Sequence, residues 1–499
     1  MAICDFPKTS PPIGQTSTSC LRKFTIHFRR PDKLKQKKGA PPYRGEYGFD
    51  WLRDEYIYPV KKVAYDEVET PDNPEFKETY LELCKEPIKL RQEYLKDIEP
   101  SGKEFKPHGQ DYYPAWLSIF ACNVQSSNAN PNAGSTMHKD GVYLDLQLDE
   151  IDEITDDRTE ISFKPSVPCL KITPEKISIS EFIKTTREKR ILNNNIGQPE
   201  IYFYKLENAV RIICEGDTLK QHEQIKVFAK LGSTEYEVGR LMVYKNNNIG
   251  KADIFVVNVI TDYDVNNQVD PKSRPPLEYL YKYQSFNQAM IRAEVRAIEK
   301  FDLLALEEKT KDSDISLFLK DAKNLLYIDN KKVPDPEDPT KTTSGDLAIL
   351  KRLSVLYHKY GKHTTKGIGL NEKNHHNSYL FFTTINSETV WGTTYAKSKS
   401  QNLEWGNVYM IFKNGLTDEH NIVHEAAHSF SLTHTFSYLH SPHVFQKGYT
   451  ENYMDYPFHQ EYSLDTYVLE IVDSEYKDKM YSFFKWQWDL MRNDSSIKK

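Results

Sequence analysis

The chain has 499 residues, 38% of them hydrophobic and 12% aromatic, so it is long enough to build two to four domains with hydrophobic cores. It carries 66 basic and 72 acidic residues, a net charge of −6, without a long run of one sign, which argues against nucleic acid as a partner. The six cysteines form no CxxC pair, which indicates a reducing compartment or a protein that needs no disulfides.

The N-terminal segment has no secretory signal pattern. Residues 1–20 are polar and rich in Pro, Ser and Thr, which predicts disorder, and no apolar h-region follows. A run of about 18 apolar residues, the length of a membrane span, is absent from the sequence. We therefore expect no membrane span and a protein that is cytoplasmic as synthesised, with any export using a route that needs no cleaved signal peptide.

Two β-rich regions are predicted in the first half of the chain. Residues 21–150 contain strand-like runs such as YYPAWLSIFACNV and are expected to form a β-rich N-terminal region. Residues 151–250 contain short strand-like runs about ten residues apart, which favours an Ig-like β-sandwich. The turn cluster NNNIG at residues 246–250 marks the boundary with the next domain.

From residue 251 onward the pattern is that of an α/β or α+β domain. Residues 253–261 (DIFVVNVIT) predict a buried strand, and residues 285–306 predict a long helix. A second helix, GDLAILKRLSVLYHKYG, precedes three strand-like runs, SYLFFTTI, VWGTTYA and NVYMIFKNG. A last helix is expected near residues 477–492. The sequence thus predicts a multidomain protein with a β-rich front and a mixed domain at residues 251–499.

The strongest functional signal lies between residues 416 and 436, which read LTDEHNIVHEAAHSFSLTHTF. Thr417 predicts the N-cap of a helix, and two acidic residues follow in its first turn, where the helix dipole favours negative charge. On this helix His424 and His428 are four residues apart, so their imidazoles project from one face and can bind one tetrahedral ion. The spacing therefore predicts a metal-binding helix.

Glu425 follows the first histidine and lies about 100° further round the helix. From there its carboxylate can reach a metal-bound water without binding the metal itself, which is the position of a general base. A third nitrogen ligand has to come from outside the helix, and His434 supplies it if the chain turns sharply after Phe430. His440 and His443 are the alternative third ligands.

The alternative to a metal site is an ordinary helix whose apolar residues pack into a core. The chain has 15 histidines in 499 residues. At that frequency a chance HExxH has an expected count of about 0.03, and the third histidine lowers it to about 0.001. Chance is therefore a poor explanation, and three neutral imidazoles would hold one zinc ion per chain.

The residues HEAAHSFSLTHTF resemble the metzincin pattern HExxHxxGxxH, and the ending LTHTF is similar to the pappalysin branch of that family. Downstream, residues 451–457 (ENYMDYP) resemble its methionine turn. The resemblance implies a metzincin-type zinc peptidase domain. The roles that it implies are zinc ligation by His424, His428 and His434, general base catalysis by Glu425 and packing beneath the metal by Met454.

The same resemblance assigns two further roles. It implies that VWGTTYA forms an edge strand along which an extended substrate lies antiparallel, with NVYMIFKNG as the next strand inward. In astacin and serralysin relatives, a tyrosine two residues after the turn methionine binds the resting metal and later donates to the oxyanion, and Tyr456 has that offset here. The implied substrate-binding residues are Gly392, Thr393, Thr394, Tyr395 and Ala396.

One position departs from the family pattern, since Ser431 stands where the metzincin pattern has glycine. That glycine lets the chain turn back towards the metal with a positive φ, and another residue there costs about 1 to 2 kcal/mol. We therefore expect a positive φ at Ser431, tolerated because the metal holds the turn.

These residues predict a zinc-dependent endopeptidase that hydrolyses peptide bonds of a polypeptide substrate by a metal-activated water. A peptidoglycan-directed zinc amidase and a non-catalytic zinc-containing interaction protein are the alternatives. Turnover of cell-wall fragments distinguishes the first alternative. Zinc content together with casein cleavage distinguishes the second.

The N-terminal half also carries a resemblance. Residues 45–53 (GEYGFDWLR) look similar to segments of effectors exported by type VI secretion systems. A β-rich front without a signal peptide, joined to a lytic enzyme, is typical of such toxins. The resemblance implies a secretion-apparatus or immunity partner that binds through the N-terminal region. An intracellular protease with interaction domains is the alternative.

Overall fold

The computed structural model of the protein describes residues 19–34, 41–63, 79–98, 104–125, 134–194, 200–264, 276–324, 331–373, 376–387, 389–399, 402–463 and 468–499. The predicted disorder of residues 1–20 lies outside these ranges except at its last two positions. Cys20 is buried in a hydrophobic core, and its backbone N–H donates to an Asp157 carboxylate oxygen at 2.6 Å. At Cys20 the prediction of disorder is therefore wrong.

The chain is a β-rich protein with both sheets and helices, which confirms the α+β prediction at that level. The described strands before residue 245 are β1 (Phe24–Arg29), β2 (Gly48–Asp50), β3 (Lys61–Val63), β4 (Thr79–Leu81), β5 (Ala115–Ser118), β6 (Val142–Glu150), β7 (Glu160–Pro165), β8 (Leu170–Thr173), β9 (Lys176–Ser178), β10 (Glu188–Ile191), β11 (Glu200–Cys214), β12 (Glu223–Leu231) and β13 (Thr234–Val243). The later strands are β14 (Gly250–Ile260), β15 (Ile291–Asp302), β16 (Lys332–Pro334), β17 (Thr342–Ser344), β18 (Asn377–Phe382), β19 (Gly392–Lys399), β20 (Asn402–Ile411), β21 (Phe458–Ser463) and β22 (Val468–Asp473).

Short helices connect these strands. The described α-helices are α1 (Asp54–Ile57), α2 (Pro87–Leu95), α3 (Ile179–Ile183), α4 (Leu277–Tyr283), α5 (Leu303–Thr310), α6 (Ser313–Lys323), α7 (Gly345–Tyr360), α8 (Glu419–Ser429) and α9 (Lys485–Asn493). Single 3-10 turns occur at Pro107–Gly109, Phe286–Ala289, Lys413–Gly415 and Lys477–Lys479. None of the helices in the described ranges has both the length and the apolar character that a membrane crossing requires.

Apart from the separate pair β3-β4, the strands before residue 245 form two large sheets that enclose one hydrophobic core. One sheet has the order β1-β6-β11-β10, with β8 also paired to β11, and the other has the order β2-β5-β13-β12-β7-β9. Buried side chains of both sheets make up the core, for example Phe24 and Ile26 on β1 with Ile225 and Val227 on β12. The arrangement is therefore a layer of sheet packed on a layer of sheet.

The boundary predicted at residue 150 does not divide this double layer. Strands β1 and β6, from the predicted N-terminal region, share a sheet with β11 from the predicted sandwich. Likewise β2 and β5 share a sheet with β13. Pairing between strands that are distant along the chain leaves no local sequence pattern, so the sequence predicted a boundary that the sheets do not have. The pair β5 and β13 is parallel, which departs from the antiparallel Ig-like pattern.

A third sheet, with the order β15-β14-β18-β20-β19, supports helix α8. Its strands β15, β14, β18 and β20 run parallel, and β19 lies at the edge, antiparallel to β20. Strand β14 corresponds to the strand predicted at residues 253–261, and helix α7 corresponds to the helix predicted at residues 345–361. The three later strand-like runs correspond to β18, β19 and β20. These predictions are confirmed.

The long helix predicted at residues 285–306 is wrong. A 3-10 turn is followed by Met290 in the left-handed region, with φ of 55°, and then by strand β15, which pairs in parallel with β14. Helix-forming residues such as Ala, Glu and Arg dominate the segment, but pairing with a buried neighbouring strand outweighs these weak preferences. Helix α4 provides the crossover that a parallel pair requires.

The segment at residues 45–53 packs inside the molecule. Gly45 has a φ of 96°, and a Cβ there would lie 2.0 Å from the carbonyl oxygen of Gln284. A Cβ on Gly48 would lie 2.6 Å from the carbonyl oxygen of Gln288. Asn287 donates its side-chain N–H to the Gly45 carbonyl at 2.9 Å. Glycine is thus required at both positions because the 3-10 turn before β15 lies against this backbone.

Arg53 of this segment, together with Arg30 next to the end of β1, forms ion pairs with the C-terminal half. Arg53 and Arg30 donate to one carboxylate oxygen of Glu451, at 2.8 and 2.6 Å. Burial raises the pKa of Glu451, but the two guanidinium groups outweigh it and hold the pKa at about 2. Asp50 accepts a hydrogen bond from the backbone N–H of Lys485 at 2.7 Å. One hydrophobic core accordingly joins buried residues between 52 and 120 with buried residues between 242 and 497.

We expect the fragment 251–499 not to fold by itself, because removal of the N-terminal half exposes the apolar side of this core and leaves Glu451 without its two arginines. Circular dichroism with thermal unfolding should show no cooperative transition for the fragment. The full chain measured in the same buffer serves as the control. A fragment that melts cooperatively and binds metal as the full chain does would contradict this prediction.

Candidate metal centre

Helix α8 places the two helical histidines. Its N-cap is Asp418, whose carboxylate accepts from the backbone N–H of Asn421 at 2.7 Å, so the N-cap predicted at Thr417 is wrong by one residue. A charged acceptor next to the positive helix end explains this choice. His424 and His428 lie one turn apart on the buried side of the helix. The predicted metal-binding helix is confirmed as a helix.

The chain leaves α8 in a tight left-handed turn. Ser431 has a φ of 68°, as expected from its place in the motif. Its N–H donates to the His428 carbonyl at 2.9 Å, and the Leu432 N–H donates to the Ala427 carbonyl at 3.1 Å. This pair of bonds is the Schellman ending of a helix, in which glycine usually occupies the left-handed position. The turn brings His434 back towards the helix.

The three histidines converge on one point. Their Nε2 atoms are separated by 3.2 Å between His424 and His428, 3.2 Å between His428 and His434, and 3.1 Å between His434 and His424. An ion about 2.0 to 2.1 Å from three corners of a tetrahedron would separate those corners by about 3.3 to 3.4 Å. The nitrogens therefore stand close to the spacing of three ligands of one ion.

The other ring nitrogens fix the tautomers of two of these histidines. Nδ1 of His424 lies 2.7 Å from the carbonyl oxygen of Tyr453, and Nδ1 of His428 lies 2.7 Å from that of Leu432. A carbonyl only accepts, so both Nδ1 atoms carry the proton and both Nε2 atoms present lone pairs. Two lone pairs that face each other at 3.2 Å repel, and a cation between them removes that repulsion.

The site also favours the neutral form of each imidazole. Burial lowers the pKa of His424 to about 3, and it holds the pKa of His428 and His434 well below the ordinary value. The neighbouring histidines lower these pKa values further, and the ammonium group of Lys447 does so for His434. Neutral imidazole is the form that binds metal. The donor set therefore fits a cation, and these three residues form the group of potential metal ligands found among the described residues.

The alternative third ligands lie elsewhere. His443 is buried 3.7 Å from a carboxylate oxygen of Glu93, with its ring against Trp486. His440 is half-buried in the loop after the third histidine and is not part of the cluster in the described part of the chain. Geometry thus favours His434 as the third donor.

Glu425 is enclosed by the predicted substrate strand β19. The Thr394 hydroxyl is within hydrogen-bond distance of the Glu425 carboxylate, at 2.7 Å, and of its backbone carbonyl, at 2.9 Å. A Cβ on Gly392 would lie 2.5 Å from the Glu425 Cγ, so only glycine fits beside this side chain. Burial raises the pKa of Glu425 to about 8, the Thr394 hydrogen bond opposes that rise and Asp346 adds to it. The strand therefore fixes where the carboxyl group lies.

The remaining residues predicted to bind substrate divide between the two faces of β19. Tyr395 belongs to the core on the α7 side, and its hydroxyl donates to Glu337 at 2.6 Å. Thr393 is buried and pairs with Met410, and Ala396 is half-buried and pairs with Trp405 after a bulge. Side chains of this strand therefore mostly hold it in place, which leaves its backbone as the group that a ligand would contact.

The segment predicted as a methionine turn is bonded to the histidine segments through its backbone. Met454 is buried, and its carbonyl accepts from the Thr435 backbone N–H at 3.0 Å. The preceding carbonyl, that of Tyr453, is the one that orients His424. The ring of Tyr456 lies 5.0 Å from that of His434 and is half-buried. The turn is thus joined to the site at two points.

Sequence reasoning missed several neighbours of the site. Trp405 stacks on His428 with ring centroids 4.0 Å apart, and Phe436 stacks on His434 at 4.9 Å. The Lys447 ammonium lies over the Tyr456 ring at 5.3 Å. His420, four residues before His424, lies with its ring 5.7 Å from it. Of these neighbours, only His420 could have been predicted from the sequence, because it lies one helical turn before His424. The others reach the site through contacts between distant segments.

Neither a protein-family model nor a curated protein matches this sequence.

We expect His434→Ala to weaken divalent metal binding by more than the roughly 10- to 100-fold that loss of an outer-shell partner costs. The reason is that this histidine supplies one of three converging nitrogens. Competition with a chromogenic chelator measures the affinity. His440→Ala and His443→Ala are the matched controls and should bind as the unmodified protein does; a loss in either of them, with binding kept in His434→Ala, would reassign the third ligand.

We expect Ser431→Gly to change the free energy of unfolding only modestly, by between a gain of about 0.5 kcal/mol and a loss of about 2 kcal/mol. Glycine removes about 1 to 2 kcal/mol of left-handed strain, while the lost hydrogen bond from the Ser431 hydroxyl to Asp494 is worth about 1.5 to 3 kcal/mol because its acceptor is charged. Urea denaturation measures the difference. A loss of several kcal/mol would show that the turn depends on Ser431 for more than this bond.

Proposed function

We propose that this protein is a zinc-dependent endopeptidase of metzincin type, with zinc bound by His424, His428 and His434 and with Glu425 as general base. The convergence of three ring nitrogens, two of which are fixed as acceptors, carries the proposal. Three neutral imidazoles that leave a fourth position open are the donor set of catalytic zinc sites. Zinc bound there would supply a Lewis acid that polarises a carbonyl and lowers the pKa of water to about 7.

The position of Glu425 supports its role as the base. It follows the first ligand on helix α8, and the cluster of converging donors in the described residues consists of the three histidines without it. Its carboxyl group is held by Thr394 and confined by Gly392. A cation bound by the histidines would lower the pKa of this group from about 8 and favour its carboxylate form. That carboxylate can take a proton from water as the water attacks, and can later deliver it to the departing amine.

The edge strand β19 supports an extended peptide as the substrate. Within the described chain β19 pairs with β20 on one side, and no strand pairs with its other side. A peptide can add to such an edge through main-chain hydrogen bonds. Since Gly392 and Thr394 of this strand contact Glu425, a peptide added to its edge would lie near the general base. The same reasoning assigns Gly392, Thr393, Thr394, Tyr395 and Ala396 to substrate binding through their backbone.

Tyr456 is proposed as the donor to the oxyanion that forms on the scissile carbonyl. Its ring packs against His434 and His424, with centroids 5.0 and 5.8 Å apart, so the residue lies beside two of the candidate ligands. A hydroxyl that donates to the developing charge stabilises the transition state rather than the bound substrate. The export and toxin roles suggested by residues 45–53 stay predictions, since those residues form contacts within the chain.

The decisive experiment is Glu425→Gln, which keeps the size of the side chain and removes its basicity. We expect zinc content of about one per chain to be retained and hydrolysis of casein to fall by roughly 10² to 10⁴. Glu419→Gln, in the first turn of the same helix, is the matched control and should remain active. Unchanged hydrolysis in Glu425→Gln would overturn the role, and activity on cell-wall fragments but not on casein would favour the amidase.

We expect Tyr456→Phe to lower kcat by roughly 10- to 1,000-fold with little change in KM, because the lost hydroxyl acts mainly in the transition state. Zinc content and thermal stability should be almost unchanged. Tyr449→Phe, whose ring packs on His459 instead, is the matched control. An unchanged kcat would leave Tyr456 as a packing residue and the oxyanion to the metal alone.

A further inference from the structure

The turn that delivers the third histidine is held by a buried ion pair from two other segments. The Ser431 hydroxyl donates to Asp494 Oδ2 at 2.5 Å, and the Lys373 ammonium donates to the same oxygen at 2.6 Å. The side chain of Asp494 is 1% exposed and that of Lys373 is 15% exposed. Water therefore competes little for these bonds, so the three groups form one connected unit.

Lys373 also reaches the helix itself. Its ammonium donates to the carbonyl of Ser429, the last residue of α8, at 2.5 Å. A lysine at this position binds both the free carbonyl at the helix end and the acidic partner of the left-handed residue. The two residues on either side of Phe430 are thereby fixed relative to each other, and the path from helix to turn is set.

Asp494 in turn is fixed by its own surroundings. It caps helix α9, and its other oxygen accepts from the backbone N–H of Ser496 at 2.8 Å. Two residues further, the backbone of Lys498 pairs with that of Lys251 at the start of β14. The position of Asp494 is therefore set by the central sheet, and it transmits that position to the turn.

Ser431 needs this support because it is not glycine. A left-handed conformation disfavours a residue with a Cβ by a factor of about 5 to 30 relative to glycine. Without a partner for its hydroxyl the turn would relax towards other conformations, and His434 would leave the point where the other two Nε2 atoms meet.

We propose that Lys373 and Asp494 are positioning residues of the metal centre, which hold the turn at Ser431 so that His434 completes the site. The inference rests on the metal ligation in the proposed function, but not on hydrolysis. The motif has glycine at this position, where a positive φ costs little. Here the pair stabilises the positive φ of a serine by holding its hydroxyl.

The test removes the pair without leaving a buried charge. In Lys373→Met/Asp494→Asn both partners are neutral, so the chain should unfold at nearly the same urea concentration. Its affinity for zinc, measured by chelator competition, should fall by about 10- to 100-fold, as for loss of an outer-shell partner. The spectrum of bound cobalt(II) should also change, because it reports the number and geometry of the ligands. Adding Ser431→Gly should then recover affinity by about 5- to 30-fold, since glycine needs no support.

The control is a matched ion pair on the far side of the sheet. Lys351 and Asp335 are 2.5 Å apart and 4% and 13% exposed, and the neutral double variant Lys351→Met/Asp335→Asn should bind zinc as the unmodified protein does. An equal loss in this control, or a loss that Ser431→Gly does not relieve, would overturn the proposal. Unchanged zinc affinity without the pair would also overturn it. If the double variant does not fold, Asp494→Asn alone is measured against the same outcomes.

The outcome is separate from that of the proposed function. Zinc binding that depends on the pair in a protein that cleaves no peptide supports the positioning role and removes the peptidase proposal. If zinc binding and peptide cleavage are both unchanged when the pair is removed, the peptidase proposal is supported and the positioning role is overturned. A wild-type chain that binds neither zinc nor cobalt(II) overturns both.

Discussion

Two buried imidazoles of helix α8 direct Nε2 lone pairs at one point, beside the Nε2 of a third, half-buried histidine. Lone pairs so close together are unfavourable without a positive charge between them, and the surrounding structure keeps them there. The carbonyl of Tyr453 and the carbonyl of Leu432 each hold an Nδ1 proton, so neither helical ring can turn its N–H inward. Burial further disfavours protonation of the rings. The Nε2 lone pairs of His424 and His428 therefore stay directed inward, which is the arrangement that a bound cation would stabilise.

The need to hold Tyr453 links the site to the rest of the chain. Its loop is closed by Asp455, which accepts from the backbone N–H groups of Gly448 and Thr450, and it is bound at Glu451 by two arginines of the N-terminal half. The β-rich front is therefore part of the support of the site and not a separate module attached to it. This explains why one core contains residues from both halves.

The sequence predicted what depends on local spacing. Helix α8, the convergence of His424, His428 and His434, and the left-handed Ser431 all follow from positions within a few residues of one another. Strand β15 was missed because its partner lies about forty residues earlier, and its composition favours a helix. The stacking of Trp405 and the support from Asp494 were missed for the same reason, since only the folded sheet brings these segments to the turn.

The stacked pair of Trp405 and His428 gives the site an optical property. With ring centroids 4.0 Å apart and planes 21° from parallel, the indole is in van der Waals contact with a candidate ligand. An excited indole responds to charge and to unpaired electrons on a group stacked upon it. The fluorescence of Trp405 should therefore differ between the metal-free protein, the protein with a diamagnetic ion and the protein with a paramagnetic ion. The Trp405→Phe variant keeps the other five tryptophans, so subtracting its spectrum isolates the signal of Trp405.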